Sequence, residues 1–344
     1  MSKDASRPKL LDVARHAHVS PATVSRVLHN TAPVRDNVRA RVLASMSSLG
    51  YETARSSLAV FHRVIAIHVP DILNPFFAEV VRGIQDEAHA NGFMILLADF
   101  AEDASRESGL LRASFSKPLD GIIVCASRLS DGELIALREQ TSVPLVLLNR
   151  QVAHPALSCI LVDFENATYR AARHLINLNH TRIAYLAGPT GSTASRARRR
   201  GIEMALREAG LSLPEAWCPA SFPNVDGAFQ AMSALLSLSA DQRPSAVLVY
   251  NDVMALGALH AIRAHHMRVP NDISVVGFDD IAMAAHTNPP LTTVAQPKYR
   301  MGKLAMRLLA QLARGEPVRS EGFTLLDAPL IVRESTAPFG GNGR

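Results

Sequence analysis

The sequence lacks the features that mark membrane, secreted and disulfide-linked proteins. Its 344 residues include no apolar run of the ~18 residues that a transmembrane helix needs. Residues 1–9 are polar and lack the apolar stretch of a signal peptide, so we expect a cytoplasmic protein. The three cysteines, Cys125, Cys159 and Cys218, are odd in number and far apart. This favours buried, reduced thiols over a disulfide framework or a metal site.

The sequence patterns of common enzymes are also missing. None of the 13 histidines forms an HExxH pair or another spaced ligand set with Cys or Glu. The segment 188–195 is rich in Gly and Ser but lacks the lysine of a phosphate-binding loop, and no GxSxG occurs. We therefore expect no enzyme, no cofactor and no metal site. A catalytic site assembled from distant residues is the alternative that these patterns leave open.

The positive charge is concentrated at one end of the chain. Residues 1–63 contain ten Lys/Arg against four Asp/Glu, a net charge of +6, whereas the remainder carries 26 against 27, a net charge of −1. A small basic segment on a neutral body is typical of proteins that bind a polyanion. A solvated basic tail is the alternative on charge alone.

Three short helices are predicted in this basic segment. Ser20 followed by Pro21 is typical of the start of a helix and opens the second of them. The third runs from about Arg35 to Leu49, where Gly50 ends it. The apolar sides of the first and third helices are formed by Val13, Ala14, Ala17, Val38, Val42, Met46 and Leu49.

The second helix has two different faces. At ~100° per residue its apolar arc consists of Thr23, Val24, Val27 and Leu28. The opposite arc is small, polar or cationic and can enter a major groove; it consists of Ala22, Ser25, Arg26 and His29. The Arg26 side chain can reach a guanine edge or a phosphate. This arrangement predicts an all-α helix-turn-helix headpiece.

The headpiece resembles that of the LacI/GalR repressors. The resemblance rests on residues 10–14 (LLDVA), on residues 19–28 (VSPATVSRVL), and on Val34, Arg39, Val42 and the Leu49-Gly50-Tyr51 ending. It implies a homodimer whose second helices read two half-sites of a near-palindromic, double-stranded DNA operator. Pro21, Ala22 and Arg26 would face bases. The other DNA-binding residues would be Leu10, Ser20, Thr23, Ser25, His29, Arg35 and Tyr51; for Ser20 and Thr23, capping and packing are the alternative roles.

The linker, residues 52–63, departs from the pattern of that family. Many relatives follow the tyrosine with a Pro-Asn pair and a hinge helix, which inserts a leucine into the minor groove. Residues 52–59 (ETARSSLA) lack this pair. Leu58 is the candidate for the inserted leucine, and a linker that stays flexible is the alternative.

From Val64 onward, short apolar runs alternate with amphipathic segments. This alternation predicts an α/β core of parallel, doubly wound sheets, and its length suggests two lobes. The runs are 64–69, 93–98, 121–125, 145–148, 160–162, 183–186, 246–249 and 273–277. The helical segments include 78–90, 166–178, 198–209, 252–265 and 301–312.

Polar residues follow several of these predicted strands. Ligands of such folds bind beyond the carboxyl ends of the strands, where Asp71, Asn149, Asn251 and Asp279 stand. Each of them alone is compatible with a turn or a helix cap. Together they favour a ligand pocket.

The LacI/GalR resemblance continues to about Pro338 and implies a core like that of the periplasmic sugar-binding proteins. Such a core has two lobes, a cleft between them and three chain crossings. The implied divisions are a headpiece at 1–51, a linker at 52–63, a first lobe at 64–162 and 292–322, a second lobe at 163–291 and 323–338, and a tail at 339–344.

The resemblance also implies an effector site. Phe76, Phe77 and Phe222 would stack on or wall a ring-shaped ligand. Asn149, Arg198, Asn251 and Asp279 would hydrogen-bond it. Asp71 and Asn74, which follow the first strand, are further candidate effector residues. Carboxylates that accept from vicinal hydroxyls and rings that cover an apolar face suit a polyhydroxylated ligand.

The nature of the effector follows from a narrower resemblance. Residues 69–71 (VPD), 126–129 (ASRL), 295–297 (AQP) and 330–333 (LIVR) resemble the cytidine-responsive branch of the family, which implies a nucleoside effector. A repressor that responds to a pentose or hexose is the alternative. A transport binding protein is compatible with the core, but the basic headpiece and the lack of a signal peptide argue against it.

The implied mechanism is allosteric. The effector would favour one arrangement of the lobes and so alter the spacing or order of the two headpieces in a dimer. The resemblance favours induction, in which the ligand weakens DNA binding.

If headpiece contacts with phosphates drive DNA binding, the affinity should fall steeply with salt, because each contact releases counterions. A fragment that begins at Val64 should bind no operator. Anisotropy titrations of the full chain and of the fragment at several salt concentrations measure both effects. Operator binding by the fragment would contradict the assignment of DNA binding to the headpiece.

Overall fold

The computed structural model describes residues 8–29, 34–49, 51, 63–316 and 323–340, apart from the side chains of Leu28, His29 and Ser47. The chain forms two compact units, residues 1–61 and 62–344. Residues 52–62 of the predicted linker lie outside the described residues, and so does the prediction for Leu58. The predicted boundary after residue 63 is wrong by one residue, because Arg63 is the first residue of the strand Arg63–Val69 and pairs with Phe93. Within the described residues, no helix is long and apolar enough to cross a membrane.

The first unit contains the three predicted helices, α1 (Leu10–His16), α2 (Pro21–His29) and α3 (Asp36–Leu49). Ser20 caps α2 as predicted: its Oγ accepts a hydrogen bond from the Thr23 N–H at 3.2 Å. The turn before it uses a left-handed residue, His18, with φ of 50°. The small core consists of Val13, Ala14, Ala17, Val24, Val27 and Val42. The helix-turn-helix prediction is confirmed.

The second unit contains two sheets. The strands of the first are β1 (Arg63–Val69), β2 (Phe93–Asp99), β3 (Gly121–Cys125), β4 (Leu145–Leu148), β5 (Ser158–Val162) and β10 (Phe323–Leu326). Their order in the sheet is β10-β5-β4-β3-β1-β2, and all the described strand pairs are parallel. Every residue of β3 and β4 is buried, which explains why these strands read as continuous apolar runs.

The strands of the second sheet are β6 (Ile183–Leu186), β7 (Ala246–Val249), β8 (Ser274–Asp279), β9 (Thr292–Ala295) and β11 (Leu330–Ile331). Their order in the sheet is β11-β9-β8-β7-β6. Only the β9–β11 pair is antiparallel within this sheet as described. The prediction of parallel sheets in an α/β core is confirmed.

Helices connect the strands and cover both sheets. They are α4 (Pro75–Ala90), α5 (Ala104–Phe115), α6 (Asp131–Glu139), α7 (Phe164–Asn177), α8 (Thr193–Glu208), α9 (Val225–Leu236), α10 (Asp252–Ala264) and α11 (Lys298–Ala313). The main helix pairs are α4 with α11, α7 with α8, and α9 with α10. The predicted helical segments lie within or close to α4, α7, α8, α10 and α11.

The described strands require three crossings between the sheets, but two of these crossings differ from their predicted places. Strand β9 (Thr292–Ala295) lies in the second sheet, so the return to the first lobe begins after Ala295 and not at Thr292. Strand β10 (Phe323–Leu326) pairs with β5 in the first sheet, so the last crossing follows Leu326. The predicted lobe ranges 292–322 and 323–338 are therefore wrong at their edges, because strand pairing, which apolar patterning does not reveal, decides the lobe.

The predicted tail is also wrong at its first residue. The Phe339 N–H donates to the Leu178 carbonyl at 2.7 Å, and the Phe339 ring lies 5.5 Å from the His180 ring. The Arg182 guanidinium lies 5.8 Å from the centre of the same ring. Phe339 therefore packs on the second lobe.

Helices α4 and α11 cross at two glycines. A Cβ on Gly302 would lie 2.1 Å from the Val80 carbonyl oxygen, and one on Gly83 would lie 2.1 Å from the Tyr299 carbonyl oxygen. Because backbone atoms cannot move aside as a side chain does, this crossing requires glycine. It holds α4, and with it the residues at the start of α4, against the first sheet.

The change Gly302→Ala should lower the free energy of unfolding by about 1–3 kcal/mol, because the new methyl group overpacks the crossing. Gly109→Ala is the matched control: apart from the neighbouring backbone of α5 itself, no described atom lies within 4 Å of its Cβ position. This control should raise stability by about 0.5–1 kcal/mol, since alanine favours a helix. Urea unfolding of both variants measures the difference, and equal effects would contradict the packing argument.

Candidate DNA-binding face and effector cleft

Helix α2 presents the face that its periodicity predicts. Pro21, Ala22 and Arg26 are exposed, whereas Val24 and Val27 are buried on the other side. Ser25 is half-buried. A helix with a small, cationic outer face fits the width of a major groove.

The other predicted DNA-binding residues occupy different environments. Ser20 and Arg35 are exposed. Leu10 and Tyr51 pack against the headpiece core, and the Tyr51 N–H donates to the Met46 carbonyl at 3.0 Å. Thr23 is half-buried, and its Oγ1 lies 2.9 Å from the Ser20 Oγ. The capping and packing roles of Ser20 and Thr23 are thus present, and DNA contacts remain a prediction. The side chain of His29 lies outside the described residues.

In the second unit, seven of the nine predicted effector residues line one narrow cavity of about 30 Å³ between the sheets. They are Asn74, Phe76, Phe77, Asn149, Arg198, Asn251 and Asp279. The first four belong to the first lobe and the other three to the second. The cavity therefore lies in the predicted cleft.

The structure does not bring Asp71 or Phe222 to this cavity. The Asp71 Oδ1 instead accepts a hydrogen bond from the Leu73 N–H at 2.8 Å in the loop after β1. The Phe222 ring is 54% exposed in the loop before α9. As formed by the described residues, the cavity has Phe164 and Tyr250 as aromatic neighbours on the second-lobe side.

Two asparagines of the site also cap helices. The Asn74 Oδ1 accepts from the Phe76 N–H at 3.0 Å, which fixes the start of α4 and the position of Phe76. The Asn251 Oδ1 accepts from the Met254 N–H at 2.8 Å at the start of α10. Each asparagine can both cap its helix and contact a ligand, because the cap uses only the amide oxygen and leaves the amide nitrogen available.

Arg198 is a buried cation inside an aromatic cage. Its guanidinium carbon lies 3.7 Å from the centre of the Phe278 ring, 4.5 Å from that of Tyr250 and 4.7 Å from that of Phe164. Its Nη1 donates to the Tyr250 carbonyl. Cation–π contacts of a desolvated arginine offset part of its burial cost, at ~2 kcal/mol or more.

Asp279 supplies the negative charge opposite Arg198. Its Oδ1 lies 3.9 Å from the Arg198 Nη2 and accepts from the Gln296 Nε2 at 2.7 Å. Burial raises the pKa of Asp279 to about 6, although Arg198 and the Gln296 hydrogen bond act to lower it. The Lys298 Nζ donates to the Asp279 carbonyl at 2.9 Å and so fixes the end of β8.

Gln296 joins the two lobes, and the sequence predictions missed it. Its Nε2 donates to Asp279 of the second lobe, and its Oε1 accepts from the Asn149 Nδ2 of the first lobe at 3.1 Å. The Asn149 Oδ1 is buried and has no hydrogen-bond partner among the described residues. Gln296 lies within the motif at 295–297, directly after β9, and its position after a strand was the available signal.

An ion pair in the cavity wall was also missed. The Arg128 Nε and Nη2 donate to the two oxygens of Glu102 at 2.6 and 2.9 Å. Both side chains are almost fully buried, at 7% and 6% exposure. Arg128 lies in the motif at 126–129, after β3, whereas Glu102 follows β2 in a loop that contains no apolar pattern.

A wider cavity of about 360 Å³ adjoins the narrow one. The two share Asn149, Phe164 and Ala194. Arg150, Arg196 and Arg200 also line the wider one. The two cavities are therefore parts of one cleft, and their combined size is in the range of small-molecule sites.

Asp252, the first residue of α10, is a second buried acid behind the cleft. Its Oδ1 accepts from the Thr293 Oγ1 at 2.6 Å, and its Oδ2 accepts from the Ile281 N–H at 2.9 Å. Burial raises the pKa of Asp252 from 3.8 to about 8, and the charge of Asp279 adds to this effect. The folded state therefore binds a proton that the unfolded chain releases near pH 4.

Fold and site together define a class of protein: a helix-turn-helix headpiece joined to a two-lobed ligand-binding core. Comparison with known families agrees. Residues 9–54 match the model "Bacterial regulatory proteins, lacI family", and residues 172–336 match the "Periplasmic binding protein-like domain".

Individual relatives extend the match to nearly the whole chain. The HTH-type transcriptional repressor CytR of Escherichia coli K12 is 35% identical over 97% of this chain and 98% of its own length. The PurR repressor of Aliivibrio fischeri MJ11 is 35% identical over 87% and 90%. The lac repressor dimer bound to operator and an anti-inducer has a TM-score of 0.75 at 29% identity, covering 96% of this chain and all of its own.

The chain therefore belongs to the LacI family of bacterial regulatory proteins. It is a DNA-binding transcriptional repressor with an effector-binding core, and not an enzyme.

The raised pKa of Asp252 predicts that stability falls with pH. Because the folded-state pKa lies above the unfolded value, the free energy of unfolding should decrease between about pH 4 and pH 8. Asp252→Asn should remove part of this dependence of stability on pH, since an uncharged amide can hydrogen-bond with Thr293 and with the Ile281 N–H but does not titrate.

Urea unfolding at pH 5, 6, 7 and 8 measures this slope. The control is Asp272→Asn: Arg268 lowers the pKa of Asp272, so this carboxyl is ionised throughout the range. The control should keep the wild-type slope. An unchanged slope in Asp252→Asn would contradict the burial argument.

Proposed function

We propose that this repressor acts as a homodimer whose operator binding is weakened by a nucleoside, cytidine being favoured, bound between the core lobes. The observation that carries the proposal is the cleft itself. It combines a pair of phenylalanine rings with a buried Asp279, Arg198 and Asn251. Aromatic faces suit a base or the apolar face of a sugar, and the polar set suits vicinal hydroxyls.

The dimer is supported by the solved relative that is a dimer on its operator. Two copies of the headpiece would present two α2 helices, each with Arg26 on its outer face. Two such helices suit the half-sites of a near-palindrome. A repressor acts where the chromosome is, so we place this chain in the cytoplasm.

The nucleoside is supported by the narrower resemblance at residues 126–129 and 295–297, which lie beside the cleft, and by the two rings at the start of α4. The centres of the Phe76 and Phe77 rings lie 5.0 Å apart, and the ring planes are at 88° to each other. One ring can therefore stack on a ligand while the edge of the other contacts its side. A sugar effector is the second candidate, because one solved relative is a cellobiose complex, CelR, with a TM-score of 0.71 at 31% identity.

Coupling between ligand and DNA follows from the size of the narrow cavity. About 30 Å³ has room for a water molecule or two, and a nucleoside is far larger. A ligand that reaches Asp279 must therefore separate the lobes or rearrange the bridge from Asn149 through Gln296. The linker directly precedes β1 in the sequence, so we infer that a change between the lobes is passed to the headpiece through the first lobe. Such differential binding is what an allosteric ligand requires.

Isothermal titration calorimetry with cytidine, adenosine, ribose and common hexoses tests the effector. We expect binding of cytidine and a loss of operator affinity when cytidine is present. Binding of a hexose alone would refute the nucleoside and support the sugar candidate.

Asp279→Ala should abolish effector binding, because it removes the acceptor opposite Arg198. Asp280→Ala is the matched control, since Asp280 pairs with Arg333 at 2.7 Å and does not line the described cavity. Operator binding by each variant shows whether it is folded. Loss of both operator and effector binding in Asp279→Ala would make the residue structural.

A further inference from the structure

Glu102 and Arg128 form an ion pair in the wall of the cleft. The proposed function assigns no role to this pair. Both residues line the same narrow cavity as Phe76 and Phe77. Their side chains are almost fully buried, and the Nε–Oε2 and Nη2–Oε1 contacts make the pair bidentate. Replacing a buried pair by apolar residues is often neutral or stabilising, so stability alone does not account for it.

The pair keeps hydrogen-bonding capacity after its internal contacts are made. Three of the five guanidinium N–H groups of Arg128 are used, two toward Glu102 and one toward the Ala126 carbonyl at 2.8 Å. The Glu102 Oε2 lies 2.6 Å from both the Nε and the Nη2 of Arg128, whereas Oε1 accepts from Nη2 alone at 2.9 Å and has a further acceptor site. The wall therefore offers a donor beside an acceptor to whatever occupies the cavity.

The surrounding loops hold the pair in place. The Arg128 backbone N–H donates to the buried Glu107 at 2.8 Å. Ala101, Glu102 and Ala126 have φ of 50°, 61° and 45°, a left-handed conformation that non-glycine residues seldom adopt. Such residues concentrate at ligand sites, where the surroundings determine their conformation.

We propose that Glu102 and Arg128 read the base edge of the effector and select an amino-substituted base. This rests on the proposed nucleoside effector. An amino group donates to Glu102 while the neighbouring ring nitrogen or carbonyl accepts from Arg128, as when acidic side chains accept from the cytosine amino group. The hydroxyls of the sugar are then left to the second-lobe residues Asp279 and Asn251.

The pairing discriminates against bases in which the amino group is an oxo group. Uracil places a carbonyl oxygen where cytosine has its amino group, and this oxygen faces the Glu102 carboxylate without a proton between them. Its ring N–H then faces the donors of Arg128. The wild-type protein should therefore prefer cytidine to uridine, and adenosine to inosine.

Glu102→Gln tests this selectivity. A glutamine amide can donate to a carbonyl or accept from an amino group, so the ratio of cytidine to uridine affinity should fall by about tenfold or more. Glu87→Gln is the matched control. Glu87 pairs with Lys303 and Arg307 in the same lobe and does not line the described cavity, so its ratio should equal that of the wild type.

Calorimetric titration of the full-length wild type and both variants with cytidine, uridine and ribose separates the outcomes. A lower ratio in Glu102→Gln alone supports the proposal, because a purely structural defect weakens cytidine and uridine equally. An unchanged ratio in a protein that binds cytidine overturns the base-reading role and leaves the nucleoside effector in place. A wild type that binds ribose but neither nucleoside overturns both.

Discussion

The core depends on one chain of hydrogen bonds across the cleft. Asn149 of the first lobe donates to Gln296, and Gln296 donates to Asp279 of the second. Asp279 in turn faces Arg198, whose guanidinium is enclosed by three aromatic rings. Because these groups are buried, each needs its partner: an unpaired buried polar group costs ~1–3 kcal/mol, and a charge costs more. This chain of hydrogen bonds therefore stabilises the arrangement of the lobes that the structure has.

This constraint explains how a small molecule can act on a large protein. The groups that bridge the lobes are also the groups that would hold a ligand, so ligand and bridge compete for the same hydrogen bonds. The Asn149 Oδ1, buried and without a partner within the described chain, shows that the bridge is incomplete by itself. A ligand that hydrogen-bonds with the bridge residues in a second arrangement of the lobes binds that arrangement more tightly than the first. Allostery requires such a difference in binding free energy.

Much of the fold follows from local patterns. Ser20 and Pro21 predicted the start of α2 correctly, because an N-cap and a first-turn proline act within three residues. The buried strands β3 and β4 were recognised because both of their faces are covered. The lobes of β9 and β10, which the family resemblance implied, were exchanged. Both strands have only four residues, and only the neighbour with which each pairs, β8 or β5, decides its sheet.

The candidate site shows the same division. By itself the sequence determined a basic helix-turn-helix headpiece, an α/β core of largely parallel sheets, and polar residues such as Asn251 and Asp279 after their strands. These depend on side-chain type and spacing along a few turns or strands. Tertiary structure alone decided that Gln296 bridges the lobes, that Glu102 and Arg128 meet within the cleft, and that Phe222 and Asp71 lie outside the cavity. Those contacts join residues from 17 to 147 positions apart in the chain, and no local pattern records which loops meet when the sheets pack.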